Sequence, residues 1–311
     1  MSTIIEIKGL TKRYGSFTAL EELNLAVEEG AVVGFIGPNG AGKTTTMRII
    51  TTLLKPTSGE AWVAGHSVRT SPKAVRRAIG YMPDFFGVYE DMKVWEYLDF
   101  FARCYHLAPD RRRRVVDELL ELVDLTHKRD AWVESLSRGM RQRLCLAHAL
   151  VHDPHILLLD EPASGLDPRA RIEMRELLKE LSSLGKTIII SSHILAELAE
   201  MCDHIGVIEK GRLLYNGPVQ RLNRQLHSQR QVRLRTLSPD ATVETALKSY
   251  PGVIDALPSK NGWEIGLNGD DDSLAGLLAH LVNHAVRITH FSETSSDLES
   301  VFMQITTGDV E

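Results

Sequence analysis

The chain is short of cysteine, of long apolar runs and of excess positive charge, and each shortage removes a class of function. Three cysteines in 311 residues, Cys104, Cys145 and Cys202, are an odd number set far apart. That spacing supports neither a disulfide framework nor a paired-cysteine zinc site, and it fits a reducing compartment. No run of 18 apolar residues occurs, and the opening MSTIIEIKGL has no basic segment leading into an apolar stretch. The chain is therefore expected to have neither a membrane span nor a secretory leader, so that it does not insert in a bilayer directly. Lys plus Arg number 36 against 41 Asp plus Glu, a net charge of -5, which provides no global field for nucleic acid. The twelve histidines show no metal spacing. What remains is an ordinary globular balance, 25% charged and 43% hydrophobic, in a length that suits one large domain and one small.

Hydrophobic patterning divides the chain. Ile4, Ile5 and Ile7 form one strand group and Leu23, Leu25 and Val27 another, which predicts an antiparallel layer of short strands. Ala31 to Ile36 is apolar on both faces, as a buried strand is, and runs into a glycine-rich turn. A helix is expected next, with Met47, Ile50, Leu53 and Leu54 on one side, stopping before Pro56. Helical spacing from Val94 to about Leu125 marks a helical insert, taken as about 87–150. Buried-strand patterns return at Ile156 to Leu159 and at Ile188 to Ile190, separated by a helix from Arg171 to Leu184, which implies a parallel sheet with crossovers. Past Leu222 the order strand, helix, strand, strand, helix, strand follows the split ferredoxin-like pattern, with a hairpin around Asn261 and Gly262 and a last helix over Ser296 to Ile305. The reading is an α/β core, a mostly parallel sheet with an antiparallel layer and a helical insert, over 1–222 and a small α+β ferredoxin-like domain over 223–311.

Two constellations carry chemistry. Gly37-Pro38-Asn39-Gly40-Ala41-Gly42-Lys43-Thr44-Thr45 has P-loop spacing and lies between a buried strand and a helix start. Its glycines let backbone N–H groups point at phosphate oxygens, and the helix N-terminus adds partial positive charge. Lys43 would reach the outer phosphates and the Thr44 hydroxyl would complete a Mg²⁺ shell. A turn that binds nothing is a poor alternative in this strand-turn-helix context. The second is Asp160-Glu161 at the end of the apolar run Ile156 to Leu159, on the edge of a parallel sheet where ligands collect. Asp160 would hold Mg²⁺ through water and Glu161 would act as general base. Alone, this pair reads equally well as a strand cap before Pro162; beside the cradle it reads as catalytic.

With these motifs in order, residues 1 to about 220 resemble the ABC ATPases. Leu136-Ser137-Arg138-Gly139-Met140-Arg141-Gln142 is similar to the family signature, and the resemblance implies that Ser137 and Gly139 cap the γ-phosphate of ATP held by an opposing subunit. A helix start supplies the free N–H donors such a role needs, although a lone serine there is simply an N-cap. Tyr14 matches the aromatic that stacks on adenine, Asp167 in Ser164-Gly165-Leu166-Asp167 matches the contact across the dimer interface, and His193 resembles the histidine that touches the γ-phosphate. The resemblance thus implies ATP and Mg²⁺ as cofactors, a second copy as partner, and an integral membrane permease docked near Phe85 to Glu96. It also implies a cytoplasmic location, peripheral on the inner face of the membrane.

The sequence departs from the pattern in two places. Asp84 stands where most relatives carry glutamine; a carboxylate can still meet Mg²⁺ or water, with shorter reach and added negative charge. Arg138 and Met140 stand where glycine and glutamine are commonest, a variation seen in export subunits. The tail, Thr294 through Phe302, resembles the drug- and polysaccharide-export branch, which points to an exporter. The alternatives are a non-transport relative acting in translation or on chromosomes, which would carry two modules or a long coiled coil, and an importer subunit with a regulatory tail. Arg111 to Arg114 read as a solvated helix face, Asp270 to Asp272 as a helix start and Cys145 as core.

Overall fold

Strands β1 (Thr3–Tyr14) and β2 (Phe17–Glu28) pair antiparallel and are longer than their pattern suggests. Register shifts between Ile7 and Leu10 and on either side of Lys12 interrupt the alternation of inward and outward side chains, so only fragments read as strands. With β4 (Ser58–Val63) and β5 (His66–Ser67) they form a sheet of order β2-β1-β4-β5, antiparallel throughout. The computed structural model describes residues 2–85, 87–195, 198, 201–219, 230–259 and 262–294.

The second sheet has the order β10-β9-β3-β8-β7-β6, where β3 is Val32–Ile36, β6 Ile79–Met82, β7 Ile156–Asp160, β8 Thr187–Ser192, β9 His204–Glu209 and β10 Arg212–Pro218. Every residue of β3, β7 and β8 is buried, which is why the stretches Val32–Ile36, Ile156 to Leu159 and Ile188 to Ile190 are apolar on both faces. The pairs β9/β3, β3/β8, β8/β7 and β7/β6 are parallel, so these strands all end on the same edge. That edge gathers Gly37, Glu161 and His193, each just past its strand.

Helix α1 (Lys43–Ile50) begins at the cradle and stops earlier than expected. Thr52 adopts φ 64°, and the N–H groups of Leu53 and Leu54 both turn back to the Arg48 carbonyl. Leu53 is exposed and only Leu54 rests on the core, which corrects the expectation that both continue the helix face. Met47 and Ile50 do face inward, in one cluster with Ile5, Ile7, Phe35 and Ile156 that joins the two sheets. Each such side chain contributes roughly 1.5–3 kcal/mol on burial. Helix α2 (Pro72–Ala78) precedes β6. The insert holds α3 (Val94–Cys104), α4 (Pro109–Leu122) and α5 (Arg138–Leu150). His106 at φ 60° and Pro109 at the first turn of α4 separate the first two. Helix α6 (Pro168–Ser183) links β7 to β8.

The chain divides into Met1–Gly217 and Pro218–Glu311, a boundary five residues before the 222/223 expected from composition. The second unit contains β11 (Arg230–Thr236), a helix over Asp240–Lys248, β12 (Val253–Ser259), β13 (Gly262–Leu267), a helix over Asp271–Asn283 and β14 (Ile288–Thr294). Its sheet order is β12-β13-β11-β14 with every neighbour antiparallel. Val232, Leu234, Leu247, Trp263, Ile265 and Leu281 form its own core. Asn261, the expected last helix over Ser296 to Ile305 and the tail motif from Ser295 to Phe302 lie outside the described residues. Among the described residues no helix is long and apolar enough to cross a membrane.

Candidate functional site

The cradle follows β3 directly, and two of its glycines have no substitute. A Cβ on Gly37 would lie 2.2 Å from the Ile208 carbonyl oxygen. Gly42 caps α1 at φ 112°, and a Cβ there would meet Leu20 at 2.7 Å and the Ala19 carbonyl oxygen at 2.9 Å. Between them Asn39 and Gly40 are exposed at the crest, and the buried Ala41 donates its N–H to the Pro38 carbonyl at 3.2 Å. Thr44 and Thr45 lie half-buried in the first turn of α1. Thr46 is buried, its hydroxyl donating to the Gly42 carbonyl at 2.9 Å. Lys43 folds back over the loop and donates to the carbonyls of Gly37 at 2.6 Å and Pro38 at 3.2 Å. Burial pushes its amine below the ordinary lysine value, and Glu161, Asp160 and Asp84 pull the other way.

Lys43 Nζ lies 3.6 Å from Glu161 Oε1, and His193 Nδ1 lies 2.9 Å from Glu161 Oε2. Cation, carboxylate and imidazole thus meet although they come from three separate strand ends. Glu161 sits at φ 52°, a strained left-handed conformation just past β7. Its N–H donates to Ser191 Oγ at 3.0 Å, and the Ser191 hydroxyl donates to Asp160 Oδ1 at 2.5 Å. Asp160 is fully buried, and its Oδ2 has no partner among the described residues. An unpaired buried carboxylate oxygen beside a phosphate cradle is a donor atom suited to a hard cation or to water on one. A cavity of about 480 Å³ opens beside Glu161 and His193, bounded by Pro168 and Ile172 of α6.

Other candidate residues stand apart from this cluster. Asp84 is exposed just past β6 and is felt by Lys43 electrostatically. Tyr14 is half-exposed at the end of β1, with Lys12 Nζ 4.9 Å from its ring centre. Ser137 caps α5, its hydroxyl accepting from the Met140 N–H at 3.3 Å, and Gly139 follows in the first turn. Asp167 caps α6 by accepting from the Ala170 N–H at 2.9 Å. Ser191 escaped the sequence reading except as a neighbour of His193. The signal was a polar residue closing an apolar strand, and its meaning depends on the register that sets Ser191 opposite Asp160.

The ABC transporter family profile matches residues 20–164. The uncharacterized ABC transporter ATP-binding protein YhcH of Bacillus subtilis is 34% identical over 307 residues, 98% of this chain and 97% of that protein. The Nod factor export ATP-binding protein I of Cupriavidus metallidurans is 39% identical over 217 residues, 70% of this chain and 72% of its own. A solved dimeric structure of a bacterial ABC transporter cassette aligns with TM-score 0.64 at 28% identity, covering 69% of this chain and 98% of that cassette. The chain belongs to the ATP-binding subunits of ABC transporters and is an ATPase of that family.

Proposed function

We propose that two copies of the chain close head to tail over two ATP molecules, that hydrolysis lets them part, and that this movement drives a separate membrane permease in the export direction. The observation that carries the reading is the meeting of Lys43, Glu161 and His193 at the mouth of the cradle, beside the unpaired oxygen of Asp160. The loop from Gly37 to Thr45 would hold the phosphates through its backbone N–H groups, all but Pro38 carrying one, with Lys43 exchanging loop carbonyls for phosphate oxygens. Tyr14 would stack on adenine. Glu161 would take a proton from the attacking water, oriented by His193, which would also touch the γ-phosphate. Ser137, Gly139 and Asp167 would serve the partner's nucleotide across the interface. Thr44 and Asp160, with Asp84 nearby, would hold Mg²⁺, which when bound neutralises phosphate charge.

Export is supported by the name of the Nod factor relative. The permease would dock near Phe85 to Glu96, where Phe85 and Tyr89 are exposed aromatics; Phe86 lies outside the described residues. This docking would place the ATPase on the inner face of the membrane. Changing Glu161→Gln tests the reading. ATP binding should persist while turnover falls by at least about 100-fold, the usual worth of a general base, and size-exclusion chromatography with ATP should show a trapped dimer. Wild-type turnover would remove Glu161 from the base role, and an ATP-loaded variant that stays monomeric would remove the two-copy closure.

A further inference from the structure

Arg138 is one of the two residues, with Met140, by which this chain departs from the common signature, and it makes a specific contact. It is the first residue of α5, next to Ser137, and its Nη2 donates to the Ser164 carbonyl at 3.0 Å. The adjacent Gly165 has φ 65°, and a Cβ built there would lie 2.4 Å from the Arg138 guanidinium carbon. The guanidinium therefore fills the space that a side chain at 165 would take. One turn further along α5, Gln142 is 4% exposed and donates through Nε2 to the Pro162 carbonyl. Residues four apart share a helix face, so α5 grips the segment after Glu161 at two points. The Ser164 N–H in turn donates to the Glu161 carbonyl at 3.1 Å, which connects the grip to the candidate base. Gly139 keeps α5 close to α6; a Cβ on it would stand 3.2 Å from the Ala170 Cβ.

We infer that Arg138 is a positioning residue that clamps the Ser137–Gly139 loop to the Pro162–Asp167 segment of the same subunit, so that the two move as one. The inference rests on the proposed dimer, in which the first loop serves the partner's ATP while Glu161 serves its own. A clamp between them links the two nucleotide sites through a single chain. An arginine donor on a neutral carbonyl is charge-assisted and directional, which suits a linkage that must transmit a displacement.

Arg138→Ala, Gly165→Ala and the double variant test this. Arg138→Ala should lower kcat about 10- to 150-fold, the scale of one lost charge-assisted hydrogen bond, and bring the Hill coefficient for ATP toward 1. Affinity of the isolated subunit for a fluorescent ADP should stay within about twofold, because no contact to the cradle is lost. Gly165→Ala should push the Arg138 guanidinium off the Ser164 carbonyl and so lower kcat about as much as Arg138→Ala does, and it should be at least about fivefold milder in the Arg138→Ala background, where only the left-handed backbone cost remains. Additive effects on both kcat and melting temperature would overturn the clamp. So would an Arg138→Ala protein that keeps its kcat and Hill coefficient. A wild-type chain without ATPase activity would instead overturn the proposed function, and the same cycle read on melting temperature would still decide the clamp.

Discussion

Replacing Ser191 by alanine removes one oxygen from a site where both Ser191 and Asp160 are fully buried. Two hydrogen bonds go with it: the 2.5 Å donation to Asp160 Oδ1 and the 3.0 Å acceptance from the Glu161 N–H. They are unequal. Asp160 Oδ2 already lacks a partner among the described residues, so the variant would leave the carboxylate with no hydrogen-bond donor from them. A lost hydrogen bond to a charged group costs about 1.5–3 kcal/mol. The Glu161 N–H keeps the Ser191 backbone carbonyl at 3.2 Å, which limits that second loss to about 0.5–1 kcal/mol. The sum is about 2–4 kcal/mol. Urea unfolding followed by tryptophan fluorescence, in a Trp263→Phe background, reads the right unit, because the other three tryptophans, Trp62, Trp95 and Trp132, lie within Met1–Gly217 and Trp263 lies in the second unit. At slopes of about 2–3 kcal/mol/M the midpoint should fall by roughly 1 M with the slope unchanged. Ser192→Ala is the internal control: among the described residues that hydroxyl accepts only from the Ile194 N–H, so its loss should cost about 1 kcal/mol or less. Equal shifts for the two variants, or a Ser191→Ala shift below about 0.5 kcal/mol, would refute the view that Ser191 holds the acidic strand end in place.

Gly37→Ala should destabilise the larger unit by about 1–3 kcal/mol or more and weaken ADP binding, since its Cβ meets backbone rather than a movable side chain; a melting temperature and nucleotide affinity like the wild type's would contradict the close approach to Ile208. His148 stacks on Phe101 with ring centres 3.6 Å apart, and burial, followed by the neighbouring His152, lowers its pKa from 6.5 to about 4. The unfolded chain therefore binds more protons between these values, so stability is complete above about pH 6.5 and is lost as pH falls toward 4, by at most about 2 kcal/mol at pH 5. His148→Phe keeps the stacking and should flatten that slope in urea midpoints measured from pH 7 to 5; an unchanged slope would mean that another group controls it.

The legible parts of the chain were those where one local pattern has one structural solution. Val32–Ile36, Ile156 to Leu159 and Ile188 to Ile190 are apolar because both faces of their strands are covered, and the cradle's glycines fall at a fixed motif spacing. The end of α1 was not legible because Thr52 takes the left-handed position that glycine usually marks, so the apolar spacing at Leu53 and Leu54 looked like a further helical turn. The length of β1 and β2 was hidden by bulges, which shift the alternation without changing composition. At the site the limit is different in kind. Asp160 and Glu161 announce themselves at a strand end, yet what fixes their geometry is a serine 31 positions away, brought opposite Asp160 by parallel pairing of β7 with β8. Arg138 illustrates the same limit, for as a sequence feature it is a departure from a motif, and only its contact with Ser164 and Gly165 gives the departure a physical meaning. Motif residues can be read one by one because each carries its own chemistry at a recognisable spacing. The residues that hold them face other parts of the chain, and their roles exist only once the register of β7 on β8 and the packing of α5 on the loop after Glu161 are set.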